Sequence, residues 1–77
     1  MHAATMNRLG AVMKTFGMPG TCEATLAILK GMTPAEQANA AVRYPKEMKG
    51  LALQYPRFKT EAPSAVQAAE EALELGL

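Results

Sequence analysis

Glycine and proline interrupt this 77-residue chain so often that no helix can run far. Gly10, Gly17, Pro19, Gly20, Gly31, Pro34, Pro45, Gly50, Pro56 and Pro63 cut it into short stretches. Proline lacks the backbone donor and clashes with the preceding turn, and glycine inside a helix costs about 1 kcal/mol relative to alanine. Between these breakers the apolar residues recur at steps of three and four, the period of one helix face. Alternating runs of β-branched residues are absent, with three Val and one Ile in the whole chain, so strands are not expected. The expected fold is all-α: a single small domain over residues 1–77, built as an array of four to five short helices, compact or partly open.

The first stretch, Ala3 to Phe16, carries Met6, Leu9, Met13 and Phe16 on one face, with Gly10 marking a close approach by another helix. In the second, Thr21 is placed to cap a helix striped by Cys22, Leu26 and Leu29 and widened by Ile28, while Gly31 suits a left-handed stop with Met32 folding back. Thr33-Pro34-Ala35-Glu36 is the sharpest local signal: an N-cap threonine, proline at the first helical position and a glutamate closing a capping box. The inward face of that helix is expected at Ala35, Ala38, Ala41 and Val42, all compact enough to demand a close neighbour. Pro45 disfavours helical geometry at Tyr44 and ends the element. Lys46 to Tyr55 reads as a fourth helix with Met48, Leu51, Ala52 and Tyr55 on one side and Leu53 on the other. After Pro56, residues 57–63 read as a connector. A last helix from Pro63 or Ser64 to Leu75 has Ser64 and Gln67 spaced as a capping box and Val66, Ala69, Leu73 and Leu77 as its stripe.

The core material is thin. Hydrophobic residues make up 49% of the chain, but fifteen are alanines and only four residues are aromatic. A chain this short buries a small share of its surface, so a protein partner or self-association is expected to complete the burial. Net charge is +1, which argues against a dedicated nucleic-acid binder. That average hides a split: all eight Lys and Arg lie within residues 1–59, whereas Glu61, Glu70, Glu71 and Glu74 sit in residues 60–77 without a base.

Catalytic chemistry has little to draw on. The chain contains no Asp, its one histidine is His2 beside the N-terminus, and Cys22 has neither a second cysteine nor a nearby histidine. No catalytic residue, cofactor, metal site or small-molecule substrate is expected. The dipole at the start of a helix would activate the Cys22 thiol, but its place on an apolar stripe favours simple burial. Gly17-Met18-Pro19-Gly20 precedes a helix without the lysine or the preceding strand of a phosphate loop.

Two surfaces could bind a partner. One is the apolar face Met6, Leu9, Met13 and Phe16, suited to a groove. The other is the stretch 43–59, where Arg43, Lys46, Lys49 and Arg57, with Lys59, alternate with Tyr44, Leu53, Tyr55 and Phe58. Tyr44-Pro45-Lys46 and Tyr55-Pro56-Arg57 repeat aromatic, proline and base eleven positions apart. Glu70, Glu71 and Glu74 oppose the dipole at the end of their helix, so they should pair with bases, either in the same chain or, head to tail, in a neighbouring copy. The function expected from these features is a non-enzymatic structural or adaptor role, docking on a larger protein assembly or on copies of itself. Small helical chains of this kind occur among virion components and phage-encoded inhibitors of host proteins, which makes either setting an expectation by analogy. The competing expectation is a nucleic-acid accessory protein using residues 43–59. Membrane binding by the first helix would be weak, since Arg8 and Lys14 are its only cations. Because Asn7, Arg8 and Lys14 break any apolar leader, the expected location is cytoplasmic or within a macromolecular particle, not secreted.

Overall fold

A computed structural model describes residues 3–76, which form six helices in the order α1 (Ala3–Met13), α2 (Thr21–Leu29), α3 (Pro34–Arg43), α4 (Pro45–Gln54), α5 (Pro56–Glu61) and α6 (Pro63–Glu74). No strand occurs among the described residues. The last four helices all begin with proline at their first position, where the missing N–H costs nothing and the fixed φ is already helical.

The junctions from α3 to α6 are single residues. Tyr44 (φ −131°, ψ 55°), Tyr55 (φ −128°, ψ 105°) and Ala62 (φ −134°, ψ 59°) each leave the helical region, as the steric demand of the following proline ring requires. Each also serves two helices. Its N–H donates to the helix behind (Tyr44 to Ala41, Tyr55 to Leu51, Ala62 to Phe58), and its carbonyl accepts from the helix ahead (Met48, Phe58 and Val66 respectively). The chain therefore turns corners without spending residues on loops. This corrects the expectation for residues 57–63. Pro56 starts a helix there, and Phe58 of that helix is fully buried.

The capping box before α3 forms as expected: the Glu36 N–H donates to Thr33 Oγ1 at 3.2 Å, and the Thr33 N–H donates to Glu36 Oε1 at 2.9 Å. The other expected caps are replaced. Thr21 is the first residue of α2 rather than its cap, a place held by Gly20, and the Thr21 hydroxyl donates backward to the carbonyls of Thr15 and Met18 at 2.8 Å each. Gly31 is not left-handed; α2 runs out through bonds from Gly31 to Ile28 and from Met32 to Leu29, and Met32 is buried even so. Gln37 Nε2 donates to the Leu29 carbonyl at 2.9 Å, satisfying the end of α2 from α3. Ser64 and Gln67 form no box, because α6 starts from the corner at Ala62.

The core gathers Leu9 and Met13 from α1, Cys22, Leu26, Ile28 and Leu29 from α2, Met48 and Leu51 from α4, and Phe58 from α5. Against these lies the alanine face of α6, with Ala65, Val66, Ala69 and Ala72 all buried, packed most extensively on α3 and next on α4. On α3 the buried residues are Ala40 and Ala41, whereas Ala35 and Val42 face solvent. The inward face is thus rotated from the expected one, because Gln37 and Tyr44 continue the buried stripe on either side. Leu73 is half-buried, and Leu77 lies outside the described residues. The radius of gyration is 11.0 Å, close to the roughly 11.5 Å of a compact chain of this length, so the array is compact rather than open. No buried side-chain nitrogen or oxygen among the described residues lacks a partner. Among them, too, no helix is long and apolar enough to cross a membrane.

Small residues set the α3–α6 separation, so Ala69→Leu should lower stability by about 1–3 kcal/mol through overpacking. The check is a urea titration, with the midpoint falling at unchanged slope.

Candidate docking surface

The segment between α1 and α2 begins where α1 stops at Met13 and wraps back as a chain of turns. Gly17 (φ 94°) and Gly20 (φ 88°) take left-handed conformations that a side chain would oppose. The two Thr21 hydrogen bonds and one from Thr15 Oγ1 to the Val12 carbonyl, 2.7 Å, tie the wrap together. Its result is to lay Phe16 across α4. A Cβ built on Gly50 would come within 2.7 Å of the ring's Cζ, so the absence of a side chain at Gly50 makes the seat for Phe16. Farther along, Pro19, Gly20, Cys22, Glu23, Tyr55 and Arg57 line a shallow cleft.

These contacts leave an apolar band on the outside of the molecule. Phe16 is 39% exposed, Met18 62%, Leu53 74% and Tyr55 41%. Lys46, Gly50 and Leu53 follow one another at helical spacing on α4, so the Phe16 ring sits between a lysine on one turn and a leucine on the next. Lys46, one turn before the Gly50 seat, and Lys14, two residues before Phe16, are in no ion pair among the described residues.

The residues expected to bind a partner part company. Leu9 and Met13 are buried and Met6 is half-buried against the core, so the apolar face of α1 is consumed inside the chain. Phe58 is likewise interior, which corrects its expected surface role. Tyr44 is half-buried over Gly10, its Oη 3.1 Å from where a Cβ at that glycine would stand, which explains the glycine in α1. Lys49 is drawn to Glu70 at 2.7 Å. Arg57 Nε binds Glu61 at 2.9 Å, and its Nη1 lies 3.9 Å from Glu23. Arg43 and Lys46 stay exposed without an ion-pair partner among the described residues. The basic, aromatic-interleaved stretch therefore does not gather on one face. Instead Phe16 is brought onto α4 at Gly50, one turn before Leu53, and Met18 and Tyr55 are exposed apolar residues of the adjoining segments. Sequence reasoning missed Met18, whose signal was a large apolar residue stranded between two glycines in a turn.

Cys22 is buried at 5% exposure. Burial raises its thiol pKa, the nearby Arg57 opposes that, and Glu23 and Glu61 reinforce it. Glu61 also receives Lys30 at 3.0 Å. Its hydrogen bonds from Arg57 and Lys30 hold the carboxyl below its ordinary pKa, and Glu70 is held down by Lys49 in the same way. Among the described residues no group of three or more His, Cys, Asp or Glu is placed to hold a metal ion, and His2 lies outside those residues. No family model matches the chain, and neither the curated proteins nor the solved structures compared with it give a match.

Two outcomes follow from these ionisations. Because the folded-state pKa values of Glu61 and Glu70 are depressed, their contribution to stability is present above the ordinary carboxylate pKa of about 4.3 and is lost as pH falls through the lower folded values. Glu61→Gln should flatten the fall in melting temperature between roughly pH 5 and pH 2. The Cys22 thiol should resist a thiol-specific reagent at pH 8 in the folded chain and react at once in denaturant; fast reaction of the native chain would contradict its shelter.

Proposed function

We propose that this chain is a non-catalytic docking protein, a closed six-helix scaffold that presents one apolar band to the surface of another protein. The observation that carries this reading is the seating of exposed Phe16 on Gly50, one turn before exposed Leu53, with Met18 and Tyr55 also exposed, while the chain fills its core with other residues. Soluble monomers normally keep contiguous apolar surface small, and a larger patch rimmed by polar groups usually marks an interaction site. Phe16 and Tyr55 are also the residue types that anchor interfaces, since a flat ring buries much area at low entropic cost.

The role is structural or adaptor-like: the scaffold holds two otherwise distant segments, 14–20 and 50–55, in one fixed relation. Lys14 and Lys46 at the rim favour partners that bring carboxylates, through on-rate and orientation more than through affinity. A backbone-tracking nucleic-acid surface has less support. It calls for aromatic rings free to stack beside several free bases, whereas Tyr44 and Phe58 are engaged within the chain and Lys49 and Arg57 are paired.

Leu53→Glu is the direct experiment. The site is solvent-exposed, so the melting temperature should hardly move. Immobilised wild-type chain should retain protein from its native source, or further copies of itself, at least about tenfold better than the variant, as loss of an interface anchor implies. Equal retention by both would reject the band as the docking surface.

A further inference from the structure

The outer stripe of α6 matches the band in charge, apolar content and spacing. Ala65, Val66, Ala69 and Ala72 turn inward, leaving Glu71 and Leu75 four residues apart on the outer side, with Glu74 between them and the cleft that it lines with Lys49, Glu70 and Leu73. All three are exposed, Leu75 at 77%. Neither Glu71 nor Glu74 forms an ion pair among the described residues; the acid that does so on α6 is Glu70, which faces α4 and takes Lys49. Among the described residues, then, the chain carries an acidic ridge ending in a leucine, and elsewhere an apolar band edged by Lys14 and Lys46, with no ion pair between the two.

We propose that the occupant of the band is the end of α6 from a second copy of this chain, giving a head-to-tail contact. The inference rests on the reading of the band as a docking surface and names what docks there. On α4, Lys46 stands four residues before Gly50, where Phe16 is seated; on α6, Glu71 stands four residues before Leu75. Both intervals are about 6 Å of helix. Setting Leu75 against Phe16 and Leu53 therefore places Glu71 at Lys46 when the two helices run in the same direction. Because the two surfaces differ, each copy keeps one band and one ridge free after the first contact. The assembly therefore grows as a chain of copies unless its rotation closes a ring.

Area limits the strength. A standard stable interface takes about 800 Å² from each partner, and the whole accessible surface of this chain is 4675 Å². A contact confined to one ring, one leucine pair and one helix end belongs to the weak, concentration-dependent class.

Sedimentation velocity between about 10 µM and 1 mM should show the average mass rising with concentration, the range expected for an interface at the small end of the scale. Lys14→Glu with Lys46→Glu reverses the band, and Glu71→Lys with Glu74→Lys reverses the ridge. Each double variant alone should associate at least about tenfold more weakly, because like charges then meet. Mixing the two in equal amounts should restore association, since each reversed surface finds its complement on the other variant. Leu75→Glu, at an exposed helix end, should weaken association without altering the melting curve. A wild-type chain that stays monomeric at 1 mM overturns the proposal, as do reversal variants that associate like the wild type or a mixture that regains nothing. If the chain is monomeric yet still retains a foreign protein in a Leu53-dependent way, the docking role stands and the head-to-tail contact falls.

Discussion

The clash between a proline ring and the residue before it governs most of this architecture. At Tyr44, Tyr55 and Ala62 that clash forbids the helix from continuing, and the same proline is ready to begin the next one. One residue thus closes one helix and opens another, and the change of direction is set by backbone sterics rather than by a flexible loop. With α3, α4, α5 and α6 linked in this way, there is little freedom in how they meet. Alanine on the facing surfaces of α3 and α6 lets the close approach occur without displaced side chains.

A short chain with few large apolar residues has to spend them carefully. The long side chains Leu9, Leu26, Leu29, Met48, Leu51 and Phe58 are all interior, so the large residues left outside are surplus to the core. Helix α5, six residues long, is far below the length at which a helix holds itself in water. It is kept in place from within by Phe58 and from outside by Arg57 and Glu61, which tie it to α2 through Glu23 and Lys30. Such exposed pairs are individually weak. Their value here is to fix the position of a short element around a buried anchor.

Much of the fold was legible because its signals are local. The Thr33–Glu36 box, the helix start at Pro34 and the burial of Cys22, Leu26, Ile28 and Leu29 follow from nearest-neighbour chemistry. What escaped sequence reading was the sense of signals that point two ways. Pro56 both ends α4 and starts α5, and reading it as a stop hid α5 and with it the burial of Phe58. On α3 the choice between Val42 and Ala40 as the inward residue was decided by the closeness of α6, which no local pattern records. Gly31 and Thr21 have the right composition for caps, but tertiary contacts from Gln37 and the wrapped segment took over those roles. For the candidate surface, Leu53 was legible as an outward residue, whereas Tyr55 reads with the stripe of Met48 and Leu51 and turns outward only because the corner at Tyr55 leaves the helix. The seating of Phe16 on Gly50 was not, because it joins positions 34 apart in the chain.

That seating gives the outer band a property none of its members has separately. Phe16 and Leu53 become neighbours only after the 14–20 turn has closed and α4 has packed, so a nascent, nicked or misfolded copy lacks the epitope even though every residue of it is present. Anything that recognised the band would therefore be sensing completed tertiary structure rather than the residues alone.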